Sequence, residues 1–329
     1  MKILFVSSGN RKQGLNPIIR LQAESLEKVG VEIEHFLIFG SGFLGYLKNV
    51  FKLRTLLKTH PVHLIHAHFG FSCVVAQLAK GKIPLVVTLM GTDILGHKNE
   101  DGSISLRNKL VLWINHYFAN HVYEKAIVMN QIMKDILSKR KNPTYILSNG
   151  VDTSLFYEVP KSEALQFLDW DPDVHHFVFI SNPARPEKNF PLAEEAVKLL
   201  QERGYRVQLH AVFQEKSENL KYYYSAATAL VLTSFHEGSP NVVKEAFCCN
   251  CPIVSTPVGD VSITTAGIEG CFIGPYDSVG FSAQLEKAIA FSTASGRIKG
   301  RQRIDEMGFD SQIVANRIKR IYEESIGEK

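Results

Sequence analysis

The feature that most constrains the fold is the stretch from Val231 to Asp260, which reads VLTSFHEGSPNVVKEAFCCNCPIVSTPVGD. Within it, the apolar run that extends from Ala229 to Leu232 predicts a buried parallel strand. Ser239 then offers a helix N-cap, and Pro240 suits the first helical position. A strand that leads into a loop and then a helix predicts an α/β domain, in which helices cover a parallel sheet.

The start of this predicted helix is suited to an anion. Backbone N–H groups at Asn241 and Val242 have no partners inside the helix, and the positive end of the helix dipole lies behind them. Glu237 lies in the preceding loop, and Glu245 lies on the Asn241 face because residues four apart align. Beside a bound diphosphate, two carboxylates are best used as acceptors for hydroxyls, as on a ribose and a sugar. The alternative is that both are solvated surface glutamates.

The segment EGSPNVVKEAFCCNCPIVSTPVGD resembles the donor-site signature of retaining glycosyltransferases of the GT-B fold, in particular glycosyltransferase family 4. In that family two glutamates are separated by seven residues, and Glu237 and Glu245 match this spacing. The resemblance implies a nucleotide-diphosphate sugar, carrying UDP or GDP, as the donor substrate. It places Glu237 near the transferred sugar and Glu245 on the ribose. It places the diphosphate against the backbone of five consecutive residues, Gly238, Ser239, Pro240, Asn241 and Val242.

The loop SNPARPEKN, residues 181–189, resembles the first strand-loop of the family's donor domain. There an arginine and a lysine clamp the diphosphate, and Lys188 matches the lysine. The arginine position, five residues earlier, holds Pro183, so Arg185 is the candidate substitute. The predicted catalytic residues are therefore Glu237, Lys188 and Arg185.

The first loop of the chain supplies further candidates. It follows the strand Lys2 to Val6 and resembles the family's glycine-containing loop, which faces the donor phosphates and the acceptor. Gly9 and Gly14 are the candidates for the donor side, and Asn10 is the candidate for the acceptor side. A plain strand-to-helix turn with flexible glycines is the alternative.

Two strands that end near His68 and Leu89 bring further polar residues to the sheet edge where ligands bind in α/β proteins. His68 and Asp93 are the predicted acceptor-side residues there, and HAHFG and VVTLMGTD also resemble family segments on that side. Met90 stands where the family often has a histidine, so the role of that histidine with the donor sugar is not carried over.

We predict the GT-B fold, with two Rossmann-like α/β/α domains that face each other across a cleft. The chain of 329 residues is long enough for two domains, each with its own core. The acceptor-side domain is predicted to span 1–155, joined by a terminal crossover helix at about 309–327. The donor-binding domain is predicted to span 156–308.

The predicted activity is transfer of a sugar, with retention of configuration, from the nucleotide-diphosphate donor to a hydroxyl of a glycan or lipid-linked acceptor. The resemblance points to the synthesis of a cell-surface polysaccharide. The D-x-D sequence Asp169-Trp170-Asp171 precedes a strand, so we interpret it as linker acidity and predict no metal and no cofactor. The alternatives are a nucleotide-sugar epimerase of the same fold and a sugar-nucleotide-binding protein without turnover.

Other motifs are rejected for stated reasons. The run Gly40 to Gly45 spells G-x-G-x-x-G, but residues 61–72 lack the acid that a dinucleotide site needs for the ribose. The run Gly9 to Gly14 has Walker A spacing, but Leu15-Asn16 replaces the required Lys and Ser or Thr. Cys248, Cys249 and Cys251 lack the paired spacing of structural zinc, so they are predicted to be reduced and to pack in a core.

Charge is unevenly distributed along the chain. Residues 1–150 hold 19 Lys and Arg against 9 Asp and Glu, whereas the remainder holds 18 against 24. The basic half suits an anionic partner, either an acidic glycan or an anionic membrane surface, whereas no nucleic-acid motif is present. The start MKILFVSSGN is typical of a strand, which favours a cytoplasmic protein, with peripheral binding at the inner face of the plasma membrane as one alternative.

The predicted helix Leu44 to Lys58 contains only basic charged residues. Its apolar residues recur at near-helical spacing and are predicted to pack on the sheet: Leu47, Val50, Phe51, Leu53, Leu56 and Leu57. Lys48, Lys52, Arg54 and Lys58 lie elsewhere on it. Contact of these four residues with a membrane is the alternative to an ordinary solvated face.

Overall fold

We describe the protein from a computed structural model, in residues 1–10, 14–40, 42–96, 104–294 and 296–327. The chain divides into two compact units. Unit 1 comprises Met1–Gly150 with Ser311–Lys329, and unit 2 comprises Val151–Asp310. Each unit has its own parallel sheet and its own apolar core.

Unit 1 is built on a six-stranded parallel sheet. Its strands are β1 (Lys2–Ser8), β2 (Glu32–Ile38), β3 (Leu64–His68), β4 (Leu85–Leu89), β5 (Lys125–Val128) and β6 (Thr144–Ile146). Its helices are α1 (Pro17–Lys28), α2 (Gly42–Thr59), α3 (Gly70–Ala79), α4 (Thr92–Leu95), α5 (Leu106–His121), α6 (Gln131–Ile136) and the terminal helix, α14 (Ser311–Gly327). The strand order is β2-β1-β3-β4-β5-β6.

Unit 2 is built on a five-stranded parallel sheet with the order β11-β10-β9-β7-β8. Its strands are β7 (His175–Ile180), β8 (Val207–Val212), β9 (Ala229–Leu232), β10 (Ile253–Ser255) and β11 (Cys271–Ile273). Its helices are α7 (Lys161–Leu168), α8 (Phe190–Glu202), α9 (Leu220–Ala226), α10 (Asn241–Cys248), α11 (Val261–Thr264), α12 (Ser278–Ala294) and α13 (Gly300–Met307).

The local sequence explains the main elements. Strands β3, β4 and β9 are buried at every residue, as expected for a parallel sheet with helices on both faces. Helix α1 begins as the sequence suggests, because the Asn16 side chain accepts from the Ile18 N–H and Pro17 occupies the first turn. The two parallel α/β sheets confirm the predicted fold class. None of the described helices is both long and apolar enough to span a membrane.

Helix α2 differs from the prediction. Val50 and Leu53 are buried against the sheet as expected, but Leu47 and Phe51 are exposed. The apolar residues do recur at near-helical spacing, but together they occupy a wider part of the helix surface than the sheet can bury. The exposed side of α2 therefore carries apolar as well as basic side chains.

The cysteines of unit 2 are free thiols. Cys248, Cys249 and Cys251 lie in the apolar core at the end of α10. Burial raises the pKa of the Cys248 thiol to about 12, so this thiol is protonated at neutral pH. The predicted packing role of these residues is confirmed.

Two buried histidines connect the sheet of unit 1 to its helices. The ring of His66 lies within 2.6 Å of both the Tyr322 hydroxyl on α14 and the Thr88 hydroxyl on β4. His68 Nε2 lies 2.7 Å from Gln22 Oε1 on α1. Burial lowers the pKa of His66 from 6.5 to about 3 and lowers that of His68 well below 6.5.

These pKa shifts predict acid sensitivity of unit 1. Between pH 6.5 and about 3 the unfolded chain binds protons that folded His66 does not, so stability falls as the pH drops through this window. At pH 5 His66 alone should cost about 2 kcal/mol. Denaturant unfolding at pH 7.5 and pH 5 should therefore show a pH difference that shrinks by about this amount in His66→Gln. Exposed His60→Gln is the control, and an equal change there would contradict the assignment.

Candidate functional site

The site predicted from sequence lies where the strand order of unit 2 reverses. Strand β7 pairs with both β8 and β9, so the connections that follow β7 and β9 leave in opposite directions. In parallel α/β sheets this switch point forms a crevice at the carboxyl ends of the strands, where ligands bind. The loop after β7 carries Lys188, and the loop after β9 carries Glu237.

Lys188 and Glu237 meet at this point, although they are 49 residues apart in sequence. The Lys188 Nζ lies 2.5 Å from Glu237 Oε1, and the two side chains are only 16% and 15% exposed. The Ser234 hydroxyl donates to the same carboxylate oxygen at 2.9 Å. Glu237 is thus held in one orientation by a charge-assisted hydrogen bond and a neutral one.

The two loops are also fixed to each other. The Thr233 hydroxyl is close to two backbone carbonyls of the β7 loop, that of Lys188 at 3.0 Å and that of Asn189 at 2.8 Å. The Phe235 N–H donates to the Glu187 carbonyl at 2.9 Å. Thr233 is fully buried, so these bonds are shielded from water. The position of Lys188 relative to Glu237 is therefore set by the backbone as well as by the side chains.

Helix α10 begins one residue later than predicted. Pro240 occupies the N-cap position with extended backbone, Asn241 is the first helical residue, and no side chain caps the helix. Ser239 is therefore not the N-cap. Burial raises the pKa of Asp260, in the loop after β10, and the neighbouring charge of Lys244 and the Ser239 hydroxyl oppose this rise. The first turn contains no acidic residue, which leaves it suited to an anion.

The loop after β10 supports the site from the other side. Gly259 has φ +57°, and a Cβ there would lie 2.6 Å from the Gly238 carbonyl oxygen. A side chain at this position would therefore displace the segment that joins Glu237 to α10. Tyr276 adds a stacking contact with Phe235, with ring centroids 5.7 Å apart.

Glu245 lies on α10, one turn beyond Asn241. The hydroxyl of Tyr224, a fully buried residue, donates to Glu245 Oε2 at 2.7 Å. Burial raises the pKa of Glu245, and the Tyr224 hydrogen bond and the neighbouring charge of Lys244 oppose this rise. Lys244 is itself buried, which lowers its pKa to about 8. Glu245 is thus a positioned carboxylate, unlike a solvated surface glutamate.

Arg185 is placed differently from Lys188. Its guanidinium bonds to Glu187 Oε1 at 2.5 Å from Nη2 and at 2.9 Å from Nε, and about half of the side chain is exposed. In this conformation the arginine is directed to its neighbour in the loop. Burial alone would raise the pKa of Glu187, but the Arg185 hydrogen bond, a backbone hydrogen bond and the charges of Arg185 and Lys188 together lower this pKa.

Two of the residues predicted to contact the acceptor have structural roles in unit 1. His68 is fully buried against Gln22, so its ring has no exposed surface for a ligand. Asp93 is buried and accepts from the backbone N–H groups of Gly70, Met90 and Gly91, which fixes the turn after β4. Both side chains lie at strand ends, as predicted, but they are turned into the protein.

The first loop of unit 1 is described only in part, because residues 11–13 lie outside the described residues. Gly9 is buried, and a Cβ there would lie 2.7 Å from the Phe39 ring. Asn10 is exposed and exchanges two hydrogen bonds with the backbone of Gly40, at 2.8 and 2.9 Å. Gly14 has φ +73° with open space around it.

Sequence reasoning missed several residues that shape the site. Ser234, Thr233 and Tyr224 position the predicted residues but belong to no motif that was recognised. Their partners are 3 to 45 residues away along the chain, so no local pattern marks them. The one signal available in the sequence was the pair Thr233-Ser234, two polar residues directly after the apolar strand β9, at a position that often faces a ligand.

Comparison with known proteins adds to this geometry. A model of Glycosyltransferase Family 4 matches residues 13–155, and a model of Glycosyl transferases group 1 matches residues 177–290. A putative teichuronic acid biosynthesis glycosyltransferase, TuaC of Bacillus subtilis (strain 168), is 28% identical over 221 residues. That match covers 60% of this chain and 54% of the relative, so the chain spans about half the length of this curated relative.

Solved structures agree on the fold. Sucrose-phosphate synthase from Thermosynechococcus elongatus matches with a TM-score of 0.82 at 16% identity, over 100% of both chains. Anabaena HepE in complex with UDP and glucose matches with a TM-score of 0.74 at 20% identity, over 98% of this chain and 100% of that chain. The two family models together cover most of the chain, and each unit has a parallel α/β sheet as in GT-B glycosyltransferases, so the chain carries a Glycosyltransferase Family 4 domain followed by a Glycosyl transferases group 1 domain.

Proposed function

We propose that this protein is a retaining glycosyltransferase. It transfers a sugar from a nucleotide-diphosphate sugar to a hydroxyl of a glycan or lipid-linked acceptor in the synthesis of a cell-surface polysaccharide. The observation that carries the proposal is the meeting of Lys188 and Glu237 at the carboxyl ends of β7 and β9, beside the uncapped start of α10. TuaC, a relative whose name refers to teichuronic acid biosynthesis, supports the polysaccharide pathway.

The donor diphosphate is proposed to bind at the first turn of α10, against the backbone from Gly238 to Val242. This turn has backbone N–H groups, the positive end of a helix dipole and no acidic side chain. Lys188 supplies a full positive charge beside it, and Arg185 supports it once its bond to Glu187 is exchanged for the donor. These groups stabilise the negative charge that grows on the leaving diphosphate.

Glu237 is proposed to orient the transferred sugar, and Glu245 is proposed to bind the ribose hydroxyls. Because Tyr224 holds Glu245 Oε2, we propose that the other oxygen, Oε1, accepts hydrogen bonds from the ribose. In the transfer step the bond between the anomeric carbon and the phosphate oxygen breaks, and both electrons stay on the phosphate. The acceptor oxygen bonds to the same face of the sugar, and its proton passes to a leaving-phosphate oxygen.

The direct test is incubation of the full chain with UDP- and GDP-sugars, with and without glycan and lipid-linked acceptors. Release of the nucleoside diphosphate that depends on acceptor, with a product of unchanged anomeric configuration by NMR, supports the proposal. Formation of a sugar isomer without acceptor would identify an epimerase instead. Tight donor binding without turnover with any acceptor would favour a sugar-nucleotide-binding protein. UDP is the first nucleotide to try, since HepE was solved with it.

We predict that the reaction needs no metal ion. The acids of the D-x-D sequence have other roles, because Asp171 pairs with Arg206 at 3.0 Å and Asp169 ends α7 in a left-handed conformation. Addition of a chelator should therefore leave the initial rate unchanged. Asp171→Asn should also leave the initial rate unchanged. This variant tests for a metal ion that the D-x-D sequence holds too tightly for the chelator to remove. Loss of activity that manganese or magnesium restores would contradict it.

The acceptor is proposed to be presented at an anionic membrane, with the protein peripheral to the inner face of the plasma membrane. The excess of basic residues in the first 150 residues supports this partner. Lys48, Lys52, Arg54 and Lys58 are all exposed on α2. The guanidinium of Arg54 also donates to the Leu78 carbonyl at 2.7 Å, so the three lysines are the freer charges of the four.

A further inference from the structure

Three helices of unit 1, α2, α3 and α5, contain no acidic residue. Helix α2 packs on α3 and α3 packs on α5, whereas α1 packs on α14. Right-handed crossovers between successive parallel strands place α2, α3 and α5 on the same face of the sheet. These helices have 18, 10 and 16 residues. The shorter helices α4 and α6 follow on the same face and hold one aspartate each, the buried Asp93 and the exposed Asp135. Helices α1 and α14 on the other face contain both acidic and basic residues.

The outer side of α5 is an apolar stripe of four exposed residues: Leu106, Leu110, Trp113 and Tyr117. At about 100° per residue these positions lie within about 60° of the helix circumference. Leu106 is 85% exposed and Trp113 is 64% exposed. The rings of Trp113 and Tyr117 stack, with centroids 6.0 Å apart, so the two aromatic residues form one surface.

The outer side of α2 has the same design. Leu44, Leu47 and Phe51 are exposed, with Leu44 at 77% and Phe51 at 60%. Lys48 and Lys52 lie on one side of this stripe, about 40° and 80° from Leu44 at about 100° per residue, and Lys58 follows the stripe near the end of the helix. Four large apolar side chains on α5 and three on α2 are therefore exposed on two helices whose charged residues are all basic.

We infer that α2 and α5 lie in the headgroup region of an anionic bilayer, with these two apolar stripes inserted below the lysines. An apolar centre with cationic flanks matches a surface that is anionic outside and apolar beneath. Trp and Tyr favour this depth because one end of each ring system is apolar and the other is polar. A protein partner with acidic rims would also match the charges, and it is one of the outcomes that the vesicle experiments below distinguish.

This inference deepens the proposed membrane-presented acceptor and is independent of the donor chemistry in unit 2. To the electrostatic attraction between lysines and lipid, the inference adds a second contribution to membrane binding, the insertion of apolar side chains. Salt should weaken the attraction between lysine and lipid, since the Debye length falls from about 8 Å at physiological ionic strength to about 3 Å at 1 M. The inserted stripes should persist at high salt once bound, because burial of apolar surface is not screened.

Trp113 is a native probe of insertion. When vesicles of phosphatidylglycerol and phosphatidylcholine are added to the full chain, its fluorescence should shift to the blue and be quenched by lipids brominated in their acyl chains. Vesicles of phosphatidylcholine alone should produce neither change. Trp113→Phe should abolish the spectral change while vesicle co-sedimentation remains, because the other tryptophan, Trp170, lies in unit 2, stacked on His210.

Matched variants separate the two components. Lys48→Gln with Lys52→Gln should lower vesicle affinity roughly 25-fold, at about fivefold for each charge near the surface. Arg317→Gln with Arg320→Gln removes two exposed charges from α14 on the other face and should change it little. Leu110→Gln with Trp113→Gln should remove the fraction of binding that survives high salt. Calorimetry with UDP should be unchanged in all three variants.

Other outcomes would overturn the inference. Absence of vesicle binding, or equal binding to both vesicle types, would exclude an anionic bilayer as the occupant. If Trp113→Gln instead converted a dimer to a monomer in sedimentation velocity, and vesicles were not bound, the α5 stripe would be an interface between copies of this chain. Failure of the glycosyl-transfer assay with intact vesicle binding would count against the proposed function alone.

Discussion

Lys188→Ala is expected to lower the turnover number about 100- to 1,000-fold, as removal of one donor to a developing anion typically does. Lys188 Nζ lies at the carboxyl ends of β7 and β9, beside the first turn of α10. The charge on the diphosphate grows as the glycosidic bond breaks, so the lysine stabilises the transition state more than the bound donor. Steady-state kinetics should therefore show a large fall in kcat and a smaller change in donor affinity.

The ion pair between Lys188 and Glu237 complicates the interpretation of Lys188→Ala, and a second substitution resolves this problem. Without Lys188, Glu237 is an unpaired carboxylate in a mostly buried position next to the donor, and it would repel the diphosphate. Lys188→Ala combined with Glu237→Gln removes that repulsion and should recover donor binding without recovering turnover. Lys198→Ala, on the exposed surface of α8, is the matched control. A change confined to the Michaelis constant for the donor would remove the transition-state role.

Glu245→Ala is expected to weaken UDP or GDP binding about 10- to 150-fold, because a hydrogen bond from a hydroxyl to a charged group contributes about 1.5–3 kcal/mol. The effect should appear in the dissociation constant measured by calorimetry, since the ribose takes no part in the bond that breaks. Glu245→Gln keeps the shape and an acceptor for Tyr224, so its loss of affinity should be smaller.

Tyr224→Phe tests whether the tyrosine positions this carboxylate. It removes the 2.7 Å hydrogen bond but leaves the charge of Glu245 in place. The expected result is a modest loss of nucleotide affinity, smaller than that of Glu245→Ala, with unchanged kcat at saturating donor. Nucleotide affinity equal to wild type in Glu245→Ala would instead exclude Glu245 from the ribose site.

Much of the secondary structure could be predicted because its signals are local. The apolar run at 229–232 is β9 with the predicted bounds, and the strand predicted after the D-x-D sequence is β7 (His175–Ile180). Continuous apolar runs mark buried parallel strands, and glycine, proline and asparagine mark their ends. The start of α10 was placed one residue early because a serine before proline suits an N-cap equally well on sequence grounds.

The direction of buried side chains could not be predicted in the same way. His68 and Asp93 lie at strand ends, where ligands commonly bind, yet His68 bonds to Gln22 on α1 and Asp93 bonds to three backbone N–H groups. Leu47 and Phe51 fit a buried helical face, yet the sheet covers only part of α2. In each case the direction and burial of the side chain depend on which neighbouring helix, strand or loop packs against it.

The sequence by itself determined the α/β class, the strands and helices, and the resemblance to glycosyltransferase family 4, since these depend on short-range patterns and on one 24-residue signature from 237 to 260. Only the tertiary structure decided that β7 lies beside β9, and this pairing brings Lys188 within 2.5 Å of Glu237. It also decided that two helices without acidic residues, α2 and α5, expose apolar stripes. The physical reason is that strand order and burial depend on packing between distant segments, which leaves no periodic trace in the sequence.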